Sequence, residues 1–488
     1  MAEYLHLFET EEEFQEARSS NYKEPWVSVT VENNNRVDFN KSEYEKLLET
    51  PLTFEITSDG NITWSCYDGT MGEYEDAQAT IYYKKNDGGW TVMPRTLSVV
   101  SGDTVQFKGD NEGYGDSDMG DGYFNSFSEE TTAGFILKGN IMSLIDSTGF
   151  TTVTTLVSSY TFNYLFNECT GLTSAESLVL PATTLAENCY QRMFAGCTSL
   201  TQAPELPATI LADGCYYGMF YSCASLTQAP ELPATTLVDN CYSFMFQSCT
   251  SLTTAPELPA TTLASGCYNN MFQRCTSLTK APELSATTLE ESCYGGMFYG
   301  CRSLATAPTL PATTLTGSCY NSMFYNCTSL TSAPALPATT LANYCYSYMF
   351  YGCTGLTSAP ELPATTLEES CYEGMFRGCT GLTSAPELPA TTLANNCYGN
   401  MFRGCTGLTS APELPATTLE ESCYEGMFYG CTSLNYIKCL ATDISAEACT
   451  FSWVQGVSST GTFVKDANMH TWGEGEDGIP TNWTVQDA

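Results

Sequence analysis

The chain has 488 residues, 24 of them cysteine, and its 55 acidic against 18 basic side chains leave a formal net charge of −37. Carboxylates in that excess repel phosphate backbones and anionic lipid heads, which argues against nucleic acid or a membrane surface as partner. Only two histidines, His6 and His470, are present, leaving little room for imidazole metal sites or histidine-driven acid-base and nucleophilic chemistry.

In chain order, MAEYLHLFETEEEF opens without a basic segment or a long apolar run, so neither an export signal nor membrane insertion is expected. TEEEFQEAR, with Thr10 and Glu13 spaced as a capping box, predicts a short helix, and KSEYEKLL a second one after the extended EPWVSVTVENN. Residues 1–50 thus read as a small acidic α+β unit. Over 51–140, LTFEITSDGNITW, ATIYYKKNDGGWTVM and TLSVVSGDTVQFKGDN alternate in polarity between Asp-Gly turns, the pattern of an all-β sandwich of immunoglobulin-like size. Its loop DNEGYGDSDMGDG gathers Asp110, Asp116, Asp118 and Asp121. Oxygen donors suit calcium, yet the spacing misses the EF-hand pattern, so a weak calcium site and a solvated acidic loop both stay open. No other cofactor is implied.

Residues 141–188 lead into a repeat as a cap with one degenerate copy. From Cys189 the pattern C-Y-x-x-M-F-x-x-C-x-S/G-L-x-x-A-P-x-L-P-A-T-T-L recurs every 26 residues, giving ten copies over 189–448 and a cap over 449–488. A fixed period of this length means a solenoid, because one unit cannot bury its apolar face alone. Leu393, Cys397, Met401 and Cys405 are four residues apart and predict an apolar stripe on a short helix. Thr288 with Glu291, Thr366 with Glu369 and Thr418 with Glu421 are spaced as capping boxes, and Gly378, Gly404 and Gly430 sit near the expected helix ends. A-P-x-L then predicts a short strand, and the whole an α/β solenoid with one helix and one strand per coil. Because proline cannot donate to a ladder, a bulge or break is expected at each repeat proline, and an unbroken ladder through Pro386 would contradict the strand placement.

Twenty-two cysteines fall into two ladders of eleven, leaving Cys66 and Cys439 outside. The spacing lacks C-x2-4-C zinc signatures, and the thiols read as small apolar core spacers. Glu205, Glu231, Glu257, Glu283, Glu361, Glu387 and Glu413 each follow a repeat proline. They form either a groove for a cationic or polyhydroxyl ligand or a solvated face that keeps the sheet from aggregating. Around M-F the sequence varies, with Tyr217, Phe244, Tyr299, Tyr325, Tyr351, Arg377, Arg403 and Tyr429. Tyr, Phe and Arg anchor contacts at low entropic cost, so these outward positions are candidate binding residues; surface drift explains the variation equally well. No H-E-x-x-H, G-x-S-x-G or P-loop occurs, and no catalytic role is expected.

The segments CYGNMFRGCTGLTSAPELPATTL and their sisters, with the terminal GTFVKDANMHTW and GIPTNWTV, resemble the BspA-type leucine-rich repeats of surface proteins from gut Bacteroidetes. That resemblance implies a leucine-rich-repeat fold and a non-enzymatic adhesion surface. LFETEEEF and EPWVSVT are similar to the start of proteins from phages and prophages of those bacteria, which implies a virion component attached through residues 1–50 to other virion proteins. The solenoid would then meet a host-surface or mucosal glycan or protein from the virion surface. The alternative is a bacterial cell-surface adhesin, against which the missing signal peptide counts. Homo-oligomers are compatible with either.

Overall fold

A computed structural model describes residues 31–32, 35–36, 41–68, 73–115, 123–127 and 130–488. The helix expected over TEEEFQEAR lies outside them, while Lys41–Glu49 is an α-helix and Val31–Glu32 pairs antiparallel with Asn35–Arg36.

Residues from Thr53 to Asn140 form two sheets. Thr53–Ser58 is flanked by Gly134–Asn140 and Thr104–Gly109, and Ile81–Lys85 extends that sheet; Gly60–Asp68 pairs with Tyr123–Phe127, Glu73–Asp76 and Thr96–Val99. Alternation in Thr104–Gly109 sends Val105 and Phe107 inward. There Phe54 stacks on Phe135 at 4.4 Å and meets Phe107 and Phe127, each at 4.8 Å. The far side of this unit is the start of the solenoid. Gly134–Asn140 pairs parallel with Leu172–Val179 of the degenerate copy, and one apolar core runs from Leu52 to Trp483.

The helix expected in each repeat is absent; among the described residues Lys41–Glu49 is the only α-helix. A run of tight turns replaces it. In the coil from Ser292 to Cys301, Gly295, Met297, Tyr299 and Cys301 donate their N–H groups three residues back, to Ser292, Tyr294, Gly296 and Phe298. The alternate residues donate to the next coil: Tyr294 to the Cys319 carbonyl at 3.1 Å, Gly296 to Asn321 at 2.7 Å, Phe298 to Met323 at 2.9 Å and Gly300 to Tyr325 at 2.6 Å. Every backbone donor is thus satisfied, half within the coil and half between coils. Every fourth residue takes positive φ: Ser292 at 54°, Gly296 at 59° and Gly300 at 73°. Each is the third residue of a turn, where positive φ favours Gly or Asn.

The four-residue spacing was the signal for this arrangement. An α-helix turns about 100° per residue, so a stripe repeating every four drifts about 40° per step and leaves its face within three steps. Four-residue turns keep it in register. Two of the three capping-box threonines have another role: Thr366 pairs with Thr392, and Thr418 with Asp443, in parallel bridges between coils. Gly378, Gly404 and Gly430 do take positive φ, as the third such position of their coils.

Inside the coils, identical side chains form columns. The rings of Tyr190 through Tyr398 succeed one another at 5.7–5.9 Å, and those of Phe194 through Phe428 at 5.5–5.8 Å. Burying each Phe, Leu or Met contributes about 1.5–3 kcal/mol. Both columns are closed at the ends. Tyr114 and Phe127 of the two-sheet unit stack on Phe162 and Phe166, and Trp453 covers Tyr424 and Phe428. Trp472 stacks on Trp453 at 5.5 Å, beneath a C-terminal cap whose strands Tyr436–Cys439, Thr462–Lys465 and Thr484–Asp487 pair in parallel.

All 24 cysteines are buried and none is joined in a disulfide. Those of the G-C-T ladder have a directional role beyond packing: Cys223 Sγ donates to the Phe194 carbonyl of the preceding coil at 3.1 Å, and the same contact recurs through Cys431 and Phe402 at 3.0 Å. Burial pushes the thiols up, Cys353 and Cys431 to about 12, so the nucleophilic thiolate is suppressed.

On the opposite face the strand expected in each repeat forms only in Leu172–Val179 and Ser410–Leu414 among the coils up to Leu434; elsewhere the prolines leave isolated bridges in place of a ladder. Bridges join Gln228 to Thr254, Thr254 to Lys280 and Lys280 to Thr306 before the prolines, and Thr236 to Thr262 after them; A-P-x-L-P itself is irregular. In Ser410–Leu414 the pairing with Tyr436–Cys439 shifts register between Ser410 and Glu413, around Pro412. The three cap strands carry no proline and pair without a shift.

Candidate functional site

Two rows of side chains run along the outside of the solenoid, one on each face. Tyr299, Tyr325, Tyr351, Arg377, Arg403 and Tyr429 occupy the same position of six successive coils, two residues after Met and one after Phe. All six are half-buried. The stack is continuous where it is aromatic: Tyr299 to Tyr325 is 4.3 Å between ring centres and Tyr325 to Tyr351 is 4.2 Å, with planes within 7°. Arg377 lies over Tyr351 at 5.4 Å and Arg403 over Tyr429 at 4.1 Å, within reach of cation–π attraction. Desolvation, followed by the neighbouring Tyr351 hydroxyl, raises the Tyr325 phenol well above its ordinary value. The Tyr325 ring therefore stays neutral.

Tyr217 and Phe244 belong to neighbouring rows and meet at 5.2 Å in a tilted pair beside Arg192. The structure thus gathers six of the eight aromatic and arginine candidates into one stripe and places the other two toward its N-terminal end.

A second feature of this face escaped the sequence reading. Phe244, Tyr348 and Asn400 hold positive φ, at 58°, 55° and 56°, a conformation that costs a non-glycine residue about 1–2 kcal/mol. Several large residues at this position lean over a glycine one coil on. A methyl at Gly374 would run into the Tyr348 ring, and one at Gly426 would approach Asn400 Oδ1 to 2.6 Å. The signal was present as large residue then glycine, 26 apart, in Arg192-Gly218, Asn270-Gly296, Tyr348-Gly374 and Asn400-Gly426.

Glu205, Glu231, Glu257, Glu283, Glu361, Glu387 and Glu413 are all exposed on the proline face. Glu413 pairs with Lys438 at 3.0 Å, and at the other end of the row burial, followed by the charge of Glu205, raises the phenol of Tyr44 in the Lys41–Glu49 helix. Asp110 accepts from the Ser147 amide at 2.8 Å and the Ser147 hydroxyl at 3.0 Å; Asp116, Asp118 and Asp121 lie outside the described residues. Among the described residues no group of three His, Cys, Asp or Glu side chains is arranged to hold a metal, and no helix is long and apolar enough to cross a membrane.

The family profile described as "BspA type Leucine rich repeat region (6 copies)" matches residues 159–297, 254–383 and 343–460, more than half of the chain. It describes a repeat region, not an enzymatic domain. No curated protein matches. Among solved structures, a leucine-rich repeat protein from Bacteroides ovatus is similar at 18% identity and a TM-score of 0.39, over 69% of this chain and 78% of that one. An internalin from Listeria monocytogenes is similar at 14% identity and a TM-score of 0.22, over 60% of this chain and 74% of that one. A TLR13–ssRNA13 complex is similar at 15% identity and a TM-score of 0.25, over 62% of this chain and 41% of that one. With its profile spanning the coils whose stacked columns are described above, the chain belongs to the BspA-type leucine-rich-repeat family.

Proposed function

We propose that the protein is a non-catalytic binding protein whose turn face recognises a host-surface or mucosal glycan, and that it works as a phage virion component. The observation that carries the binding reading is the half-buried stripe Tyr299–Tyr325–Tyr351–Arg377–Arg403–Tyr429. Rigid aromatic faces beside guanidinium donors present large contact area at low entropic cost. The backbone beneath them is hydrogen-bonded at every donor, so the surface is preorganised.

On this reading the all-β unit is an immunoglobulin-like spacer fused to the solenoid, and residues 1–50 attach the chain to other virion proteins. Support for the virion role is the resemblance of LFETEEEF and EPWVSVT to phage and prophage proteins. A bacterial cell-surface adhesin is the second reading, favoured by family membership. The full chain applied to a glycan array tests binding, and replacing Tyr299, Tyr325 and Tyr351 with Ser should abolish it; unchanged binding removes the stripe from consideration. Antibody detection of the chain in purified particles tests the location, and its presence on bacterial cells but not particles would overturn the virion role.

A further inference from the structure

Residues 151–434 carry 20 acidic side chains and only six basic ones. Two of those six, Arg377 and Arg403, stand at the same position of adjacent coils, where like charges repel. Among the described residues neither forms an ion pair with a carboxylate, although six other pairs involving Lys or Arg are present. Arg403 Nη1 donates to Asn400 Oδ1 at 3.1 Å while its plane covers Tyr429. A guanidinium has five N–H donors, so most of its donor capacity is left for something outside the fold.

The space beside Arg403 is concave. A pocket of about 220 Å³ is lined by Asn400, Arg403, Glu425, Gly426, Tyr429, Phe451 and Ser452. Phe451 is 55% exposed, a large apolar ring left at the rim. At Gly426, where φ is positive, a side chain would run into Asn400. The groups that line it are an Arg fork matched to a carboxylate, the rings of Tyr429 and Phe451, and Asn400, Glu425 and Ser452 to exchange hydrogen bonds with hydroxyls. Glu425 disfavours a bare anion such as phosphate but accepts from a polyol. A carboxylate carried on a hydroxylated ring pairs with the guanidinium while its hydroxyls meet the remaining groups; a neutral sugar offers the arginines only uncharged hydroxyl acceptors.

We infer that the C-terminal end of the stripe, Arg377, Arg403 and Tyr429, together with Phe451 of the row beside it, is a subsite for carboxylate-bearing saccharides. The carboxylate lies on Arg403 or Arg377, and the sugar ring packs against Tyr429 and Phe451. This deepens the glycan-binding reading proposed above and rests on it.

The test is an array carrying α-sialyl and uronate oligosaccharides, their neutral methyl esters or asialo counterparts, and sulfated glycans, probed with the full chain. Expected is selective binding of the carboxylated members. Replacing both arginines with Gln should weaken it by about tenfold or more, the loss of one charge-assisted hydrogen bond being sufficient. Replacement with Lys should weaken it less, and unchanged melting of both variants shows that the fold is intact. Equal binding of acids and methyl esters overturns the carboxylate subsite while leaving glycan recognition standing; preference for sulfated glycans also overturns it. Absence of binding to every glycan overturns both readings.

Discussion

The two faces of the coil are built from the same 26 residues, yet they hold neighbouring coils in different ways. On the turn face every second amide donates to the next coil, and stacked Tyr and Phe columns lie directly beneath. On the proline face the coils meet through single bridges on either side of A-P-x-L-P. Cohesion is therefore concentrated on the face that also displays the Tyr and Arg stripe. A surface meant to present side chains at fixed spacing gains from sitting on the better-bonded backbone.

The comparison can be broken in graded ways. Alkali has the largest expected effect, because it acts on all coils at once. The ordinary thiol value is 9.0, and burial raises Cys189, Cys353, Cys397 and Cys431 to about 12. Between these values the unfolded chain has lost protons that the folded chain keeps, so stability falls as pH rises. Their contribution is fully present below about pH 9 and is lost on approach to pH 12. Circular dichroism should show a steep cooperative alkaline transition in that window; a flat signal to pH 12 would contradict the burial of both thiol ladders.

Removing one ring from the turn face comes next. Phe298→Ala leaves a cavity in a column packed on both sides and should cost about 3–5 kcal/mol in urea unfolding. Gly374→Ala forces a methyl toward the Tyr348 ring at a φ of 58° and should cost about 1–3 kcal/mol; adding Tyr348→Ser should recover part of that loss. On the other face, Pro311→Ala, at an exposed position, touches no ladder bond and should shift stability by less than about 1 kcal/mol. A larger loss there than for Gly374→Ala would reverse the assignment of cohesion to the turn face.

How much of this was legible depends on which periodicity carried it. The 26-residue period announced stacking, and Pro386 announced the interrupted ladder. Cys397, Met401 and Cys405 were correctly read as one buried line but given to a helix, because apolar residues four apart also suit a helix over a single step. The recurrence of Gly, Asn and Ser at every fourth position, as in Asn396, Asn400 and Gly404, separates the two arrangements, since a helix interior disfavours them. Tyr299, Tyr325 and Tyr351 were found because they share a repeat position; their stacking follows from the coil spacing. The end caps were harder to read. Tyr114 reaches Phe162 and Trp453 closes two columns through contacts that no period encodes.

The stripe on one face and the glutamate row on the other offer the most direct test of the account. Affinity of the full chain for an immobilised glycan should be measured after Tyr299, Tyr325 and Tyr351 are replaced with Ser, and separately after Glu231, Glu257 and Glu283 are replaced with Gln. Loss of binding in the first and retention in the second is the predicted result. Retention in the first with loss in the second would place recognition on the proline face and contradict the account.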